Sequence, residues 1–485
     1  MLSYSLLSCQ EQTMRYEYDI AVIGLGPAGM AVSIMASEMG LRVCAIEAQR
    51  VGGECMNVGC IPSKALLRIA GQRHALKQLD RYGFSPLSIP APADPFSAIQ
   101  ADLRFISEKK TMGMFKKVDL LLQKGAASFV DPHTLRVGER TLTARRIFIC
   151  TGTRPALPPL EGIERVSVLT NDNLFTLPAV PASLLVIGGG AIACEMAQAF
   201  SRLGTEVRMV IRGGRLLKGA DADAVNLLEK AFAKEGIRIE RNCEMQRIHE
   251  ADGLVHLETG GGVFSAERVL CATGRSMDFS SLNLDGVGIK YSRKGIEVDR
   301  YLRTSLLHVF AAGDCNGHHL FSHSAMHQGM LALMNAMLPW PLKRDFREYV
   351  VPWTVFTDPQ ISQVGPGGDE LKAAGVRFET VTASYGDYGA AIAEKIDSGF
   401  VKVLAGRTGR LFSATVVGEG SAEMINEWGL AIQSRARMTS LLFLQHSFPS
   451  MAFLNKRVSE NWMMNRMKSG LLRALCRLMF RAMPV

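Results

Sequence analysis

The chain has 485 residues, 47% of them hydrophobic and 21% charged, with a formal net charge of +9. That length allows about three ordinary domains with a large buried core, and ten cysteines scattered along it exclude a secreted disulfide framework. The positive excess suits anionic cofactors; with no basic stripe interleaved with aromatics, no nucleic-acid partner is expected.

The N-terminal stretch MLSYSLLSCQEQTM lacks a basic flank followed by an apolar core, so no signal peptide is expected, and Met14 is a candidate natural start. No apolar run reaches membrane-spanning length, and a reducing cytoplasm is the expected compartment. The first informative segment is YDIAVIGLGPAGMAVSIMASEMGLRVCAIE, residues 18–47. It reads as strand, Gly-rich turn, helix and second strand, with Gly24, Gly26 and Gly29 in a GxGxxG pattern and Glu47 closing the second strand. The glycines let backbone approach a pyrophosphate at a helix N-terminus, and the acid can bind a ribose hydroxyl.

GGECMNVGCIPSKALL, residues 52–67, follows almost at once. Two cysteines separated by four residues, Cys55 and Cys60, flanked by glycine, are unusual in a cytoplasmic chain; a nearby helix N-terminus favours thiolate. Spacing alone leaves a metal site or two inert thiols open, but a zinc site wants further Cys or His ligands at short spacing and none follow, so no metal is expected. Other cysteines, such as Cys44 and Cys150, sit in apolar runs and read as buried small hydrophobes. Residues 65–145 read as alternating helical and loop-like segments ending in the strand RRIFIC.

SLLVIGGGAIACEMAQAFSRLGTEVRMVIR, residues 183–212, repeats the first pattern with Gly188, Gly190 and Ala193. The position of Glu47 is taken by Ile211, followed by Arg212, Arg215 and Lys218. Loss of the acid with cations nearby suits a 2′-phosphate, so NADPH is preferred over NADH. TLTARRIFICTGTRPALPPL and ERVLCATGRS each join a strand to a Gly-containing turn and mark chain crossings between domains; Thr151, Gly152, Gly274 and Arg275 are their cofactor-side candidates. From about Pro352 the strands PWTVFTD, GFVKVLA and LFSATVV with intervening helices predict a separate α+β domain.

VGGECMNVGCIPSKALL resembles the active-site segment of class I flavoprotein pyridine nucleotide-disulfide oxidoreductases, the family of dihydrolipoamide dehydrogenase, glutathione reductase and mercuric reductase. The resemblance covers about residues 17–465 in the family's order. It implies an α/β fold: two Rossmann-like dinucleotide-binding domains, for FAD and NAD(P), plus a C-terminal α+β dimerisation domain. The expected divisions are 15–155 and 280–348 for FAD, 156–279 for NAD(P), 349–465 for dimerisation and 466–485 as a tail. FAD, a homodimer and a small-molecule electron acceptor follow from the resemblance. By the same route Cys60 is the thiol beside the flavin and Cys55 the interchange thiol. Lys64 sits near the flavin and pairs with Glu195, while Gly313 and Asp314 match the motif that contacts the ribityl chain.

The chain departs from that pattern in FLQHSFPSMAFLNKR. The family's thiol reductases carry a His before the proline and a Glu after it as acid–base dyad; here those positions are Phe448 and Phe453, which transfer no proton. His446 lies two residues away and is a weak candidate substitute. The departure moves the resemblance towards the mercuric-reductase-like branch, although the vicinal cysteines that end mercuric reductase are missing and only Cys476 lies near the end. Ala191 stands where some relatives have a Tyr that lids the nicotinamide pocket, leaving room for a quinone or oxygen. Two alternatives stay open: a membrane-associated NAD(P)H:quinone-type reductase and a low-turnover redox sensor. The segment 466–485 sets Arg473, Arg477 and Arg481 on one helix face among leucines, with no acid. It fits either a peripheral contact at the inner face of an anionic membrane or packing on protein.

Overall fold

The computed structural model describes residues 16–483 apart from 86, 91, 93 and 397; the N-terminal stretch with Met14 lies outside them. The described residues form two compact units.

The first unit takes residues up to Cys55, then Ile106–Thr153 and Met277–Phe346. Its strands Tyr18–Ile23 and Val43–Glu47 are buried almost throughout, as expected of parallel strands covered on both faces. They pair in parallel with each other, with Asp119–Leu122 and with the second half of Arg140–Ile149, whose last residues also pair with Val309–Ala311. The first half of Arg140–Ile149 turns the other way, into an antiparallel meander with Thr134–Val137 and Ala127–Asp131. The helix Pro27–Glu38 crosses the helix Ser322–Met337 closely because glycine allows it. A Cβ on Gly329 would lie 2.4 Å from the Ala28 carbonyl oxygen, so any side chain there would force the helices apart.

The second unit takes Met56–Phe105, Arg154–Ser276 and Arg347–Val485. Its parallel sheet runs Arg238–Glu240, Glu206–Val210, Ser183–Ile187, Arg268–Cys271, Val168–Leu169. A three-stranded antiparallel sheet over residues 245–266 adjoins it in sequence. The strands Arg154–Pro155 and Arg275–Ser276, on the two segments expected to carry chain crossings, pair with each other. The C-terminal part is a five-stranded antiparallel sheet in the order Trp353–Val355, Ile361–Val364, Leu411–Val417, Phe400–Ala405, Glu379–Ser384. Helices Ser421–Gln433 and Phe453–Met467 cover it, and buried Trp428 donates its indole N–H to Asn455 Oδ1 at 2.8 Å.

Residues 65–145 hold more strand than their sequence suggests. Helices Cys60–Leu76 and Pro95–Phe105 are present, but from Asp119 the chain makes four strands. Three of these are only four or five residues long and too short to set up a period. Among the described residues no helix is long and apolar enough to cross a membrane.

Candidate functional site

Both glycine-rich segments fold into the same local structure. In the first, Gly24 N–H donates to Ile46 O at 2.8 Å and Cys150 N–H to Ile23 O at 2.8 Å. In the second, Gly188 N–H donates to Val210 O at 3.1 Å and Ala272 N–H to Ile187 O at 2.9 Å. Gly24 has φ +92° and Gly188 φ +132°. A Cβ would lie 2.5 Å from Cys150 O in one and 2.3 Å from Ala272 O in the other. Only glycine fits either place.

Gly26 and Gly190 cap the helices that follow, without any side-chain hydrogen bond, and a Cβ on either would meet nothing within 4 Å. Each turn therefore presents unobstructed helix N–H groups, the cradle a pyrophosphate needs. Gly29 does the other job: its Cβ would sit 1.9 Å from Gly24 O, so its absence lets helix and turn close. Glu47 is buried; its Oε2 accepts Leu25 N–H and its Oε1 accepts Gln49 N–H, both at 2.7 Å. Each oxygen keeps a lone pair for a ribose hydroxyl.

In the second copy Ile211 is buried, and its side chain and that of Leu216 fill the space beside Gly189. Arg212, Arg215 and Lys218 are exposed. Arg215 donates to the Ala220 carbonyl, while Arg212 and Lys218 make no ion pair among the described residues.

Elsewhere in the first unit Gly152 has φ +66° and Gly313 φ +87°. Gly313 N–H donates to Gln328 Oε1 at 2.9 Å, which fixes the turn that presents Asp314; Thr153 Oγ1 lies 3.5 Å from Asp314 Oδ2. In the second unit the Gly274 carbonyl accepts Ala156 N–H at 3.0 Å and Arg275 Nη1 donates to Asn171 Oδ1 at 3.3 Å. The residues present thus fit a flavin dinucleotide at the first turn, with Glu47 and Asp314 as its polar holds, and a nicotinamide dinucleotide at the second.

Cys55 lies in the short helix Gly53–Asn57, and Cys60 is the first residue of Cys60–Leu76. Both are half-buried. The N-cap of the second helix, Gly59, makes no side-chain hydrogen bond, so Cys60 sits at a helix start, which carries partial positive charge. The other sheet and helix cysteines differ. Cys44, Cys150, Cys194, Cys271 and Cys315 are buried, and burial pushes their thiols up, to about 12 for Cys44, Cys271 and Cys315. They are inert packing groups, as their apolar surroundings in the sequence suggest.

One turn after Cys60, Lys64 Nζ donates to Glu195 Oε2 at 2.8 Å. Glu195 is only 5% exposed and Lys64 37%. The other carboxylate oxygen, Oε1, accepts Phe356 N–H at 2.9 Å, and Lys64 Nζ stands 4.5 Å from the Phe356 ring centroid. The cysteine helix is thereby bolted to the second glycine-rich helix, Ala191–Leu203, and to the segment entering the C-terminal sheet. Phe356 was not identifiable from sequence, since its contribution is a backbone N–H.

His446 is nearly enclosed, with 5% side-chain exposure, and its Nε2 pairs with Glu427 Oε1 at 2.9 Å. Glu427 Oε2 accepts Asn455 Nδ2 at 2.7 Å, which ties the pair to Trp428. The Nδ1 of His446 is buried without a hydrogen-bond partner. Phe448 is 72% exposed, and its ring meets that of Phe453, the other residue at the family's dyad positions, edge-on at 5.4 Å. Glu427, on a helix distant in sequence, carried no signal that linked it to His446. Among the described residues no group of three or more His, Cys, Asp or Glu side chains is placed to hold a metal.

Residues 18–332 match the family model described as pyridine nucleotide-disulphide oxidoreductase, and residues 351–456 match its dimerisation domain. The chain is 33% identical over 466 residues to a mercuric reductase of Streptomyces lividans, covering 92% of this chain and 96% of the relative. It is 32% identical over 450 residues to a dihydrolipoyl dehydrogenase of Thermus scotoductus, covering 90% and 95%. Among solved structures, the HOCl-induced flavoprotein disulfide reductase RclA from Escherichia coli superposes with a TM-score of 0.82 at 25% identity, covering 91% of this chain and 99% of that one. The chain belongs to the pyridine nucleotide-disulphide oxidoreductase family and is an FAD-dependent NAD(P)H oxidoreductase carrying that family's dimerisation domain.

Proposed function

We propose that the enzyme uses NADPH to reduce a disulfide between Cys55 and Cys60, and that the resulting dithiol hands its electrons to a soft or redox-active metal ion rather than to a free disulfide. Bound FAD supplies the two-electron relay between nicotinamide and sulfur. In balance, NADPH and one proton become NADP⁺ as the Cys55–Cys60 bond breaks and two thiols form. Cys60, at its helix start, holds the thiolate; Cys55 is the interchange thiol; Lys64, held by Glu195, would supply a cation to bound FAD. Glu47, Asp314 and the turns at Gly24, Gly152 and Gly313 hold FAD. Gly188, Gly190 and Gly274 cradle the second dinucleotide beside Arg275, with Arg212, Arg215 and Lys218 for its 2′-phosphate.

The observation that carries the choice of acceptor is the missing proton carrier. Disulfide exchange needs an acid for the leaving thiolate, and Phe448 and Phe453 supply none. His446 is enclosed and committed to Glu427, so it serves the fold and not the interchange thiol. A metal ion needs no such proton. Cu(II) is a reasonable probe, because the E. coli relative RclA has been crystallised as a Cu(II) complex. The test is anaerobic NADPH oxidation with Cu(II), Hg(II), lipoamide or glutathione disulfide, for wild type and for Cys55→Ser. Metal-dependent turnover lost in Cys55→Ser supports the reading; brisk lipoamide or glutathione disulfide turnover overturns it.

A second reading, turnover of a lipid-soluble quinone at a membrane face, is favoured by the terminal helix Gly470–Ala482. None of its residues is buried, Leu471 and Phe480 are 83% and 85% exposed, and it contains no acid. Arg473, Arg477 and Arg481 fall within about 80° of helix arc, with Leu471, Leu475, Leu478 and Met479 outside it. Three arginines at an anionic surface contribute about 3 kcal/mol, on top of the apolar face. The dimerisation-domain match ends at residue 456, before this helix, and a second copy's helix would bring like charge. Sedimentation with anionic liposomes, with and without residues 466–485, decides: equal pelleting removes this reading.

A further inference from the structure

At the opposite end of the flavin-unit sheet from the glycine turns lies a cleft of about 210 Å³. The turns at Gly24, Thr151–Gly152 and Gly313 all follow the carboxyl ends of their strands. The cleft instead gathers Arg146, inside the strand Arg140–Ile149, with Leu307 and His308, which lead into Val309–Ala311. Phe310 and Ala336 complete its apolar wall, and Lys343 closes it.

Its polar groups are unevenly used. Asn335 is saturated: its amide donates to Tyr301 O and Arg344 O and accepts Arg344 N–H. His308 donates Nε2–H to Pro132 O at 2.7 Å and stacks on His133 at 3.8 Å. Burial, aided by the charge of Arg146, holds its imidazole below the usual range. Arg146 and Lys343, both half-buried, make no hydrogen bond or ion pair among the described residues. Lys343 has only the face of Tyr301, 5.8 Å away. The nearby carboxylate Asp299 is already committed to Arg303 at 2.6 and 2.8 Å. Two half-buried cations of like sign with no counter-ion are a standing cost. Burial and the charges around them depress both groups.

We propose that this cleft is a binding site for a small phosphate monoester, the dianion neutralising Arg146 and Lys343 while its organic body rests on Leu307, Phe310 and Ala336. Arginine offers a forked pair of donors and lysine a point charge, a combination that suits phosphate. The volume is below that of drug-sized pockets, which limits the ligand to a small one. Since the cofactor turns lie at the other end of the strands, occupation would not displace FAD, and the site stands independently of the acceptor.

Phenyl phosphate is the probe, titrated by calorimetry into FAD-loaded protein holding saturating NADP⁺, so that the dinucleotide sites are already filled. Arg146→Gln and Lys343→Gln should each weaken binding about five-fold or more, the loss of one charged contact. The control Arg208→Gln, in the other unit, should leave it unchanged. Lys343 sits on a loop, so its variant remains informative should Arg146→Gln fail to fold. No binding by wild type at millimolar concentration, or wild-type affinity in Lys343→Gln, overturns the proposal.

Discussion

Replacing Lys64 by Met tests the bolt between the cysteine helix and the second glycine-rich helix. The side chain keeps its length and loses its charge, leaving the Glu195 carboxylate, 5% exposed, with Phe356 N–H at 2.9 Å as its remaining hydrogen bond. Breaking a fully buried ion pair costs about 3–5 kcal/mol. Here water reaches the Lys64 side, which is 37% exposed, so the cost falls to about 2 kcal/mol. In a unit of roughly 300 residues that lowers Tm by about 3 °C. Glu195→Gln keeps the shape and frees Lys64 towards water, so it should cost about half as much. The double variant should be less destabilised than the sum of the two, because the stranded carboxylate is what Lys64→Met leaves behind. Calorimetry of the FAD-loaded protein measures all three, and stopped-flow absorbance should show NADPH reducing the bound flavin at least about ten-fold more slowly in Lys64→Met. An unchanged Tm in Lys64→Met, or additive losses in the double variant, would refute the reasoning.

Replacing Arg212 and Lys218 by Ser should raise KM for NADPH about ten-fold and leave KM for NADH alone; parallel changes for both cofactors would show that the exposed cations do not read the 2′-phosphate. Gly24→Ala forces φ +92° on a residue with a Cβ 2.5 Å from backbone oxygen, so purified protein should hold little FAD, read as absorbance at the flavin band per chain; a full complement contradicts the strain argument. Phe448→His with Phe453→Glu should raise lipoamide turnover by about 10²-fold if a missing proton carrier is what limits disulfide chemistry, and no gain counts against that explanation.

What could be read from the sequence follows from how each feature is encoded. Gly24, Gly29 and Gly188 are legible because no Cβ fits there, and Glu47 because a carboxylate at the strand end is what a ribose hydroxyl needs. Cys55 and Cys60 stood out by their spacing and flanking glycines, and the structure separates them from the five buried thiols by exposure and by the place of Cys60 at a helix start. The short strands between Asp119 and Val137 were not legible: strands of four or five residues leave no period to detect, and their partners are set by tertiary pairing, Asp119–Leu122 on Val43–Glu47 and Thr134–Val137 on Arg140–Ile149. Phe356 and Gln328 were invisible for another reason. The first acts through a backbone N–H and the second through an amide that orders the turn before Asp314, and neither role leaves a mark on local sequence. Glu427 was missed because its link to His446 is made by tertiary folding across 19 residues.

That last pair bears on the chemistry. A histidine and a glutamate survive close to the family's acid–base position, yet in a form that cannot do its work. A dyad that protonates a thiolate must present one ring nitrogen outward. Here Nε2 faces Glu427, Nδ1 is buried, and the outward place is taken by Phe448. The carboxylate side of the pair is also spent, since Glu427 holds Asn455, which in turn holds the Trp428 indole. Freeing His446 would therefore disturb the core of the C-terminal sheet rather than release a catalytic group. The chain holds the residues proposed to move electrons, the cysteines and the Lys64–Glu195 pair, together with a histidine that is walled off. That combination is coherent for an acceptor that takes electrons from sulfur without a proton, and incoherent for one that must release a thiol.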